Sequence, residues 1–267
     1  MHFFSSNESL SSDVQLHLNP GGDPWLRGDG LFETIKSEKG VLFFLDRHLL
    51  RLRQSAASLE FARYDESAMR AEIAKLLTES SEISRGRFRI TLFSNGEYLL
   101  THESAPLRVA PQKLLVSPFV RFSQSLLTGK KSLSYGEGSA GLRIAASSGC
   151  DDLLYLNEGG EVVETGLANI LIESRGTFFT PRVESGCLPG IVRGVLLDWF
   201  KEVKEEALTL ADVKSATGLY VISSIREIDL VTELHHANGT VQKFQISAEA
   251  EKLRGDYLIN SRSMPNS

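Results

Sequence analysis

Apolar and polar residues change rhythm several times along the chain, and each rhythm implies an element. Residues 31–36 and 41–45 are apolar, β-prone runs split by Ser37-Glu38-Lys39-Gly40, a pattern that predicts a hairpin. Asp46 then stands where a helix would be capped, and Leu49, Leu52, Ala56 and Leu59 recur along it at spacings of three and four. Asp65 or Ser67 opens a second helix with Met69, Ile73, Leu76 and Leu77 on one face. Strands are predicted over 88–93 and 113–119. Residues 121–128 are polar with little periodicity and read as an interdomain connection. Beyond them the pattern predicts a helix over 139–148, then strands over 152–156 and 161–163 around Glu158-Gly159-Gly160. Strands over 170–173 and 177–180 flank Ser174-Arg175-Gly176. A helix is predicted from about 190 to 203, with Val192, Val195, Leu196 and Phe200 on a common face. Strands near 219–223 and 241–246 precede a last helix from Ser247. Irregular alternation of strands and helices predicts an α+β fold in two domains, residues 1–120 and 129–267, joined by 121–128.

Composition narrows the function classes. With 267 residues, 42% hydrophobic and 24% charged, the chain can bury roughly 70–75% of its unfolded surface without disulfide or metal staples. A net charge of −5 and a pI near 5.8 argue against a nucleic-acid or anionic-membrane partner, which would require clustered Lys and Arg. No apolar run approaches the ~18–20 residues of a spanning helix, and Met1-His2-Phe3-Phe4-Ser5 does not resemble a secretory signal. Cys150 and Cys187 cannot form a metal cluster by themselves, and none of the six histidines has zinc-site spacing. A reduced, cytoplasmic protein without a metal is the expectation. Gly-x-Ser-x-Gly and Walker motifs are absent, and Gly28-Asp29-Gly30 has no preceding strand to make it a dinucleotide fingerprint.

Several short segments acquire chemistry when taken together. Gly190-Ile191-Val192-Arg193 opens a helix, where outward N–H groups and the dipole favour a phosphate; taken alone it reads first as an ordinary helix start after the Leu188-Pro189-Gly190 turn. Arg51 could supply a bidentate phosphate partner or be a solvated helical charge. Lys131 follows Lys130 in a loop, where lysines are mostly surface charges; a desolvated amine would be carbonyl-reactive. Glu164 ends an apolar strand after Val162 and Val163, and a buried carboxylate requires a partner. A protonated heterocyclic nitrogen would serve. An amine for a carbonyl, a carboxylate for a ring nitrogen and a helix start for a phosphate are the needs of pyridoxal 5′-phosphate (PLP).

The chain resembles the fold-type-IV PLP enzymes, which include branched-chain and D-amino-acid aminotransferases and 4-amino-4-deoxychorismate lyase. The resemblance rests on six segments in the family's order: Gly28-Asp29-Gly30-Leu31-Phe32-Glu33-Thr34; Phe44-Leu45-Asp46-Arg47-His48-Leu49-Leu50-Arg51-Leu52; Lys131-Ser132-Leu133; Val163-Glu164-Thr165-Gly166-Leu167-Ala168-Asn169; Leu188-Pro189-Gly190-Ile191-Val192-Arg193; and Ser223-Ser224-Ile225-Arg226-Glu227-Ile228. It implies a small α/β domain and a larger barrel-like α/β domain, usually in a homodimer. It makes Lys131 the lysine that holds PLP and shuttles protons, and Glu164 the partner of the pyridine nitrogen. Arg51, the Ile191 and Val192 amides and Ser224 become the phosphate cup. Ser134 stands where the family often has Asn, and Ser224 where it often has Thr. Branched-chain transaminases of the family usually read Phe-Glu-Gly-Ile-Arg where this chain has Phe32-Glu33-Thr34-Ile35-Lys36. Thr34 falls where the lyase has a threonine that assists proton transfer, so the resemblance leans to the lyase, with an aminotransferase or a catalytically silent PLP-binding protein as alternatives. Phe32, Arg108 and Arg226 are then expected at the substrate, with Arg89 a further candidate for its carboxylates.

Overall fold

A β-prone run buried along nearly its whole length, Gly30–Glu38, forms the strand that organises the N-terminal part of the chain. In the computed structural model, which describes residues 2–5, 8–11, 24–105 and 112–265, the chain divides into two compact units. One comprises Met1–Leu107, Lys130–Tyr135 and Met264–Ser267; the other comprises Arg108–Gly129 and Gly136–Ser263.

The first unit holds a six-stranded antiparallel sheet. Its strands are β1 (His2–Ser5), β2 (Glu8–Ser11), β3 (Gly30–Glu38), β4 (Val41–Leu42), β5 (Arg85–Phe93) and β6 (Tyr98–Ser104), in the order β2-β1-β6-β5-β3-β4. Helices α1 (Leu45–Ser58) and α2 (Glu66–Glu79) complete it. Leu31 and Ile35 of β3 share a core with Leu49 and Leu52 of α1, Met69 and Ile73 of α2, and Phe88 and Ile90 of β5. Asp65 caps α2 as expected, accepting from the Ser67 and Ala68 N–H groups. Asp46 does not cap α1. That helix starts at Leu45, two residues earlier than such a cap would allow, behind Phe44 (φ 58°), and Asp46 lies in its first turn, accepting from Arg70 at 2.7 Å.

The second unit holds a nine-stranded mixed sheet. Its strands are β7 (Gln112–Val120), β8 (Asp152–Leu156), β9 (Val162–Thr165), β10 (Asn169–Ser174), β11 (Thr177–Pro181), β12 (Val203–Glu206), β13 (Gly218–Ser223), β14 (Glu227–His235) and β15 (Val241–Lys243). The path runs β12-β11-β10-β13-β14-β7-β8-β9, with β15 paired to β14. Helix α3 (Gly136–Ser147) packs on β7 and β8, as a crossover between parallel strands must. Helices α4 (Ile191–Trp199), α5 (Leu210–Ser215) and α6 (Ala248–Ser263) follow. The α+β expectation holds.

Three expectations along this unit change. The helix read to residue 203 stops at Trp199; Phe200 turns extended, and Val203 begins β12, parallel to β11. The strand read over 241–246 ends at Lys243. The partition at 120 and 129 also differs from the observed division. Strand β7 pairs with β8 and β14 of the larger sheet, while Lys131–Leu133 pairs with β3 of the smaller one. Pairing partners, set at long range, decide membership. Among the described residues, no helix is long and apolar enough to cross a membrane.

Candidate active site

Strand β3 sorts its side chains onto two faces, and each face carries polar groups. The Phe32 N–H donates to the Lys131 carbonyl at 2.8 Å, and the Leu133 N–H to the Gly30 carbonyl at 2.8 Å, so residues 131–133 lie along β3. Close approach explains Gly30: a Cβ there would sit 2.5 Å from Leu133 Cδ1 and 2.8 Å from the Leu92 carbonyl. The docking fixes Lys131, whose Nζ lies 4.4 Å from the Phe32 ring centroid. Tyr135 meets the same ring edge-on at 5.9 Å. From β5, Arg89 places its guanidinium 3.9 Å from that centroid and donates to Thr91 Oγ1 at 3.2 Å.

Thr34, two residues beyond Phe32 on this face, is half-buried and directly opposite Arg89 in the sheet. Burial, then the charge of Arg87, lowers the Arg89 pKa, and among the described residues no carboxylate pairs with Arg89. An anion would relieve that guanidinium.

The opposite face of β3 carries buried Glu33. Arg51 grips it with Nε on Oε1 at 2.9 Å and Nη2 on Oε2 at 2.5 Å, while His48 Nδ1 donates to Oε2 at 2.6 Å. Burial pushes the Glu33 carboxyl up, but Arg51 and then His48 outweigh it and hold the pKa at about 2. Burial pushes His48 down against the pull of Glu33, and the charges of Arg51 and Lys131 push the same way. Arg51 is thus not a solvated helical charge.

In the second unit Glu164 lies on β9. Its Oε1 accepts from Arg121 Nη1 at 2.6 Å; its Oε2 accepts from the Leu188 N–H at 3.0 Å and from Asn169 Nδ2 at 3.3 Å. Asn169 also donates to the Leu188 carbonyl at 2.9 Å, tying this carboxylate to the loop that leads into α4. No side chain caps α4 and no acidic residue occupies its first turn, so the Ile191 and Val192 amides open a helix end suited to an anion. Ser224 lies in the turn between β13 and β14.

Arg226 sits in that turn too. Its guanidinium is held by Gln112 Oε1, and its N–H donates to Ser223 Oγ at 3.3 Å, so the structure gives it a partner other than substrate. Arg108 lies outside the described residues. Among those described, no group of His, Cys, Asp and Glu could hold a metal.

Lys131, Phe32, Thr34, Arg89 and Arg51 therefore gather in one unit, and Glu164, Ile191, Val192, Ser224 and Arg226 belong to the other. Roles for His48, Arg121 and Tyr135 were missed along the sequence. His48 lies inside a segment read for Arg51, whereas nothing local marks Arg121 as the partner of a carboxylate 43 residues away.

Residues 30–234 match the model of the family described as Amino-transferase class IV. A Methanocaldococcus jannaschii protein assigned as a branched-chain-amino-acid aminotransferase is 29% identical over 260 residues, covering 87% of each chain. The bifunctional aminodeoxychorismate lyase / D-amino acid transaminase of Mycobacterium tuberculosis is 25% identical over 245 residues, covering 80% of this chain and 83% of that one. Among solved structures, a hypothetical aminotransferase from M. tuberculosis in its PLP-bound form superposes with a TM-score of 0.86, at 21% identity and 98% coverage of both chains. That last likeness establishes the fold.

Proposed function

The chain belongs to the class IV aminotransferase family, and from that membership we propose that it is a 4-amino-4-deoxychorismate lyase, releasing pyruvate and 4-aminobenzoate. PLP is the cofactor. The residues present fit it. Glu164 is a part-buried carboxylate already supplied with donors, and the uncapped start of α4 suits a phosphate. Glu164 would hold the proton on the ring nitrogen, and the Ile191 and Val192 amides with Ser224 would hold the phosphate, whereas the Arg51 guanidinium is already engaged by Glu33. When bound, PLP supplies an electron sink for the carbon that bears the substrate amine.

One observation carries the choice of reaction: the Thr34 hydroxyl shares the face of β3 with Phe32, over which the Lys131 amine lies. The lyase must take a ring proton and deliver one as the enolpyruvyl group leaves. Lys131 removes the first, and Thr34 stands on the same face to relay the second. Arg89 is the cation for a substrate carboxylate. Loss of pyruvate aromatises the ring, so alignment and proton relay suffice for the remaining barrier. The relatives divide between lyases and transaminases, so the test must separate them.

PLP-loaded protein is supplied with aminodeoxychorismate made in situ, and 4-aminobenzoate and pyruvate are followed together. Equal amounts of both are expected. Lys131→Ala abolishes them, and Thr34→Val lowers kcat by about 10²-fold or more with PLP binding retained. In parallel, D-alanine and L-leucine are offered without a keto acid. Conversion of the cofactor to its aminated form, with no 4-aminobenzoate from the first assay, would overturn the lyase reading in favour of an aminotransferase.

A further inference from the structure

The Glu164 carboxylate is held from the side by a residue that lies outside every segment of the family resemblance. Arg121 follows β7, and its N–H donates to the Leu156 carbonyl at 2.9 Å, which anchors its backbone to β8. Its guanidinium lies 4.3 Å from the ring centroid of Tyr155 and donates Nη1 to Glu164 Oε1 at 2.6 Å. Tyr155 is only 1% exposed, and α3 is pressed against it: a Cβ on Gly141 would lie 2.1 Å from the tyrosine oxygen. A glycine in the helix therefore seats the tyrosine, the tyrosine seats the guanidinium, and the guanidinium sets the carboxylate. All four residues belong to one compact unit.

Physical chemistry gives this chain of contacts a purpose. The Glu164 side chain is 13% exposed and that of Arg121 23%, so the carboxylate has lost much of its hydration and must recover it from donors. Leu188 and Asn169 supply neutral donors on Oε2; Arg121 supplies a charged donor on Oε1. Without it, the carboxylate would keep two neutral donors on Oε2 and lose the one charged donor that favours its ionised form and fixes Oε1. We propose that Arg121 is a positioning residue for the cofactor, keeping the Glu164 carboxylate ionised and aimed for the ring nitrogen. The proposal rests on the reading of Glu164 as the ring-nitrogen partner.

The test is a double-mutant cycle on PLP binding to the full-length apoprotein, with the visible absorbance of the bound cofactor as second readout. Arg121→Gln is expected to weaken PLP by about tenfold and to shift that absorbance. Arg121→Lys recovers part of the affinity, because it keeps the charge and loses the planar fork stacked on Tyr155. In a Glu164→Gln background, Arg121→Gln adds no further loss. Wild-type affinity and absorbance in Arg121→Gln would overturn the proposal, as would a loss that persists undiminished beside Glu164→Gln. If Glu164→Gln alone binds PLP like wild type, the reading of Glu164 falls first. Circular dichroism of each apoprotein confirms folding; should Arg121→Gln fail to fold, Arg121→Lys in the two Glu164 backgrounds decides by the same criteria.

Discussion

Glu33 shows how a single buried side chain ties a helix to a strand. Its carboxylate is buried between Arg51 and His48, and its pKa falls from 4.5 to about 2 because those partners outweigh burial. A depressed folded-state pKa stabilises the protein above the unfolded value, and the gain disappears as pH falls through the folded one. Glu33→Gln is therefore expected to destabilise the protein at neutral pH. The gap in urea midpoints between wild type and variant should close as pH falls from about 4.5 toward 2. Glu33→Ala, which leaves Arg51 buried without its carboxylate, should cost about 3–5 kcal/mol. A gap that stays constant across that acid range would mean Glu33 is not ionised in the native protein. The apolar segments around Glu33 and Arg51 were readable along the chain, but their mutual pairing was not. Eighteen residues separate them, and only the packing of α1 on β3 brings them to 2.5 Å.

Among elements, the start of α4 is the most tightly constrained. Gly190 precedes it, and a Cβ there would lie 1.9 Å from Asn169 Oδ1. Asn169 in turn bonds both Glu164 and the Leu188 carbonyl. Gly190→Ala is expected to push Asn169 aside, disturbing the Glu164 carboxylate and the start of α4, the two groups proposed to hold the ring nitrogen and the phosphate. PLP affinity should fall by about tenfold or more, while the melting temperature drops by a few degrees. Unchanged PLP affinity in a folded variant would contradict that coupling. The Leu-Pro-Gly sequence marked this helix start correctly, because proline and glycine punctuate locally. The helix end was misplaced. Apolar spacing continues through Phe200 and Val203, yet Phe200 turns extended to end the helix and pairing of β12 with β11 takes Val203 into a strand.

For the whole molecule, one stretch of the second unit stands out. Phe119, Val120, Phe122, Leu126 and Leu127 all lie exposed within nine residues, with Leu126 at 74%. We propose that a second copy of this chain covers them, consistent with the homodimer that the family resemblance implies. Sedimentation equilibrium at micromolar concentration should give a dimer. Phe122→Asp with Leu126→Asp should move it toward monomer without unfolding it, and a monomeric wild type would refute the interface.

Reading along the chain was enough for the α+β class, most helices and the cofactor chemistry, because each depends on local periodicity or on short motifs with Gly, Pro, Lys and Glu at set places. The segments carrying Lys131, Glu164, Gly190 and Thr34 could be picked out without coordinates. Long-range geometry decided the rest. Lys131–Leu133 belongs with β3 because backbone donors and acceptors find partners there, not because of its neighbours in sequence. Arg121 is tied to Glu164, Arg226 is held by Gln112, and Arg51 is buried against Glu33. A charged side chain announces its charge in the sequence; which opposite charge it meets depends on strands and helices that are brought together only when the chain folds.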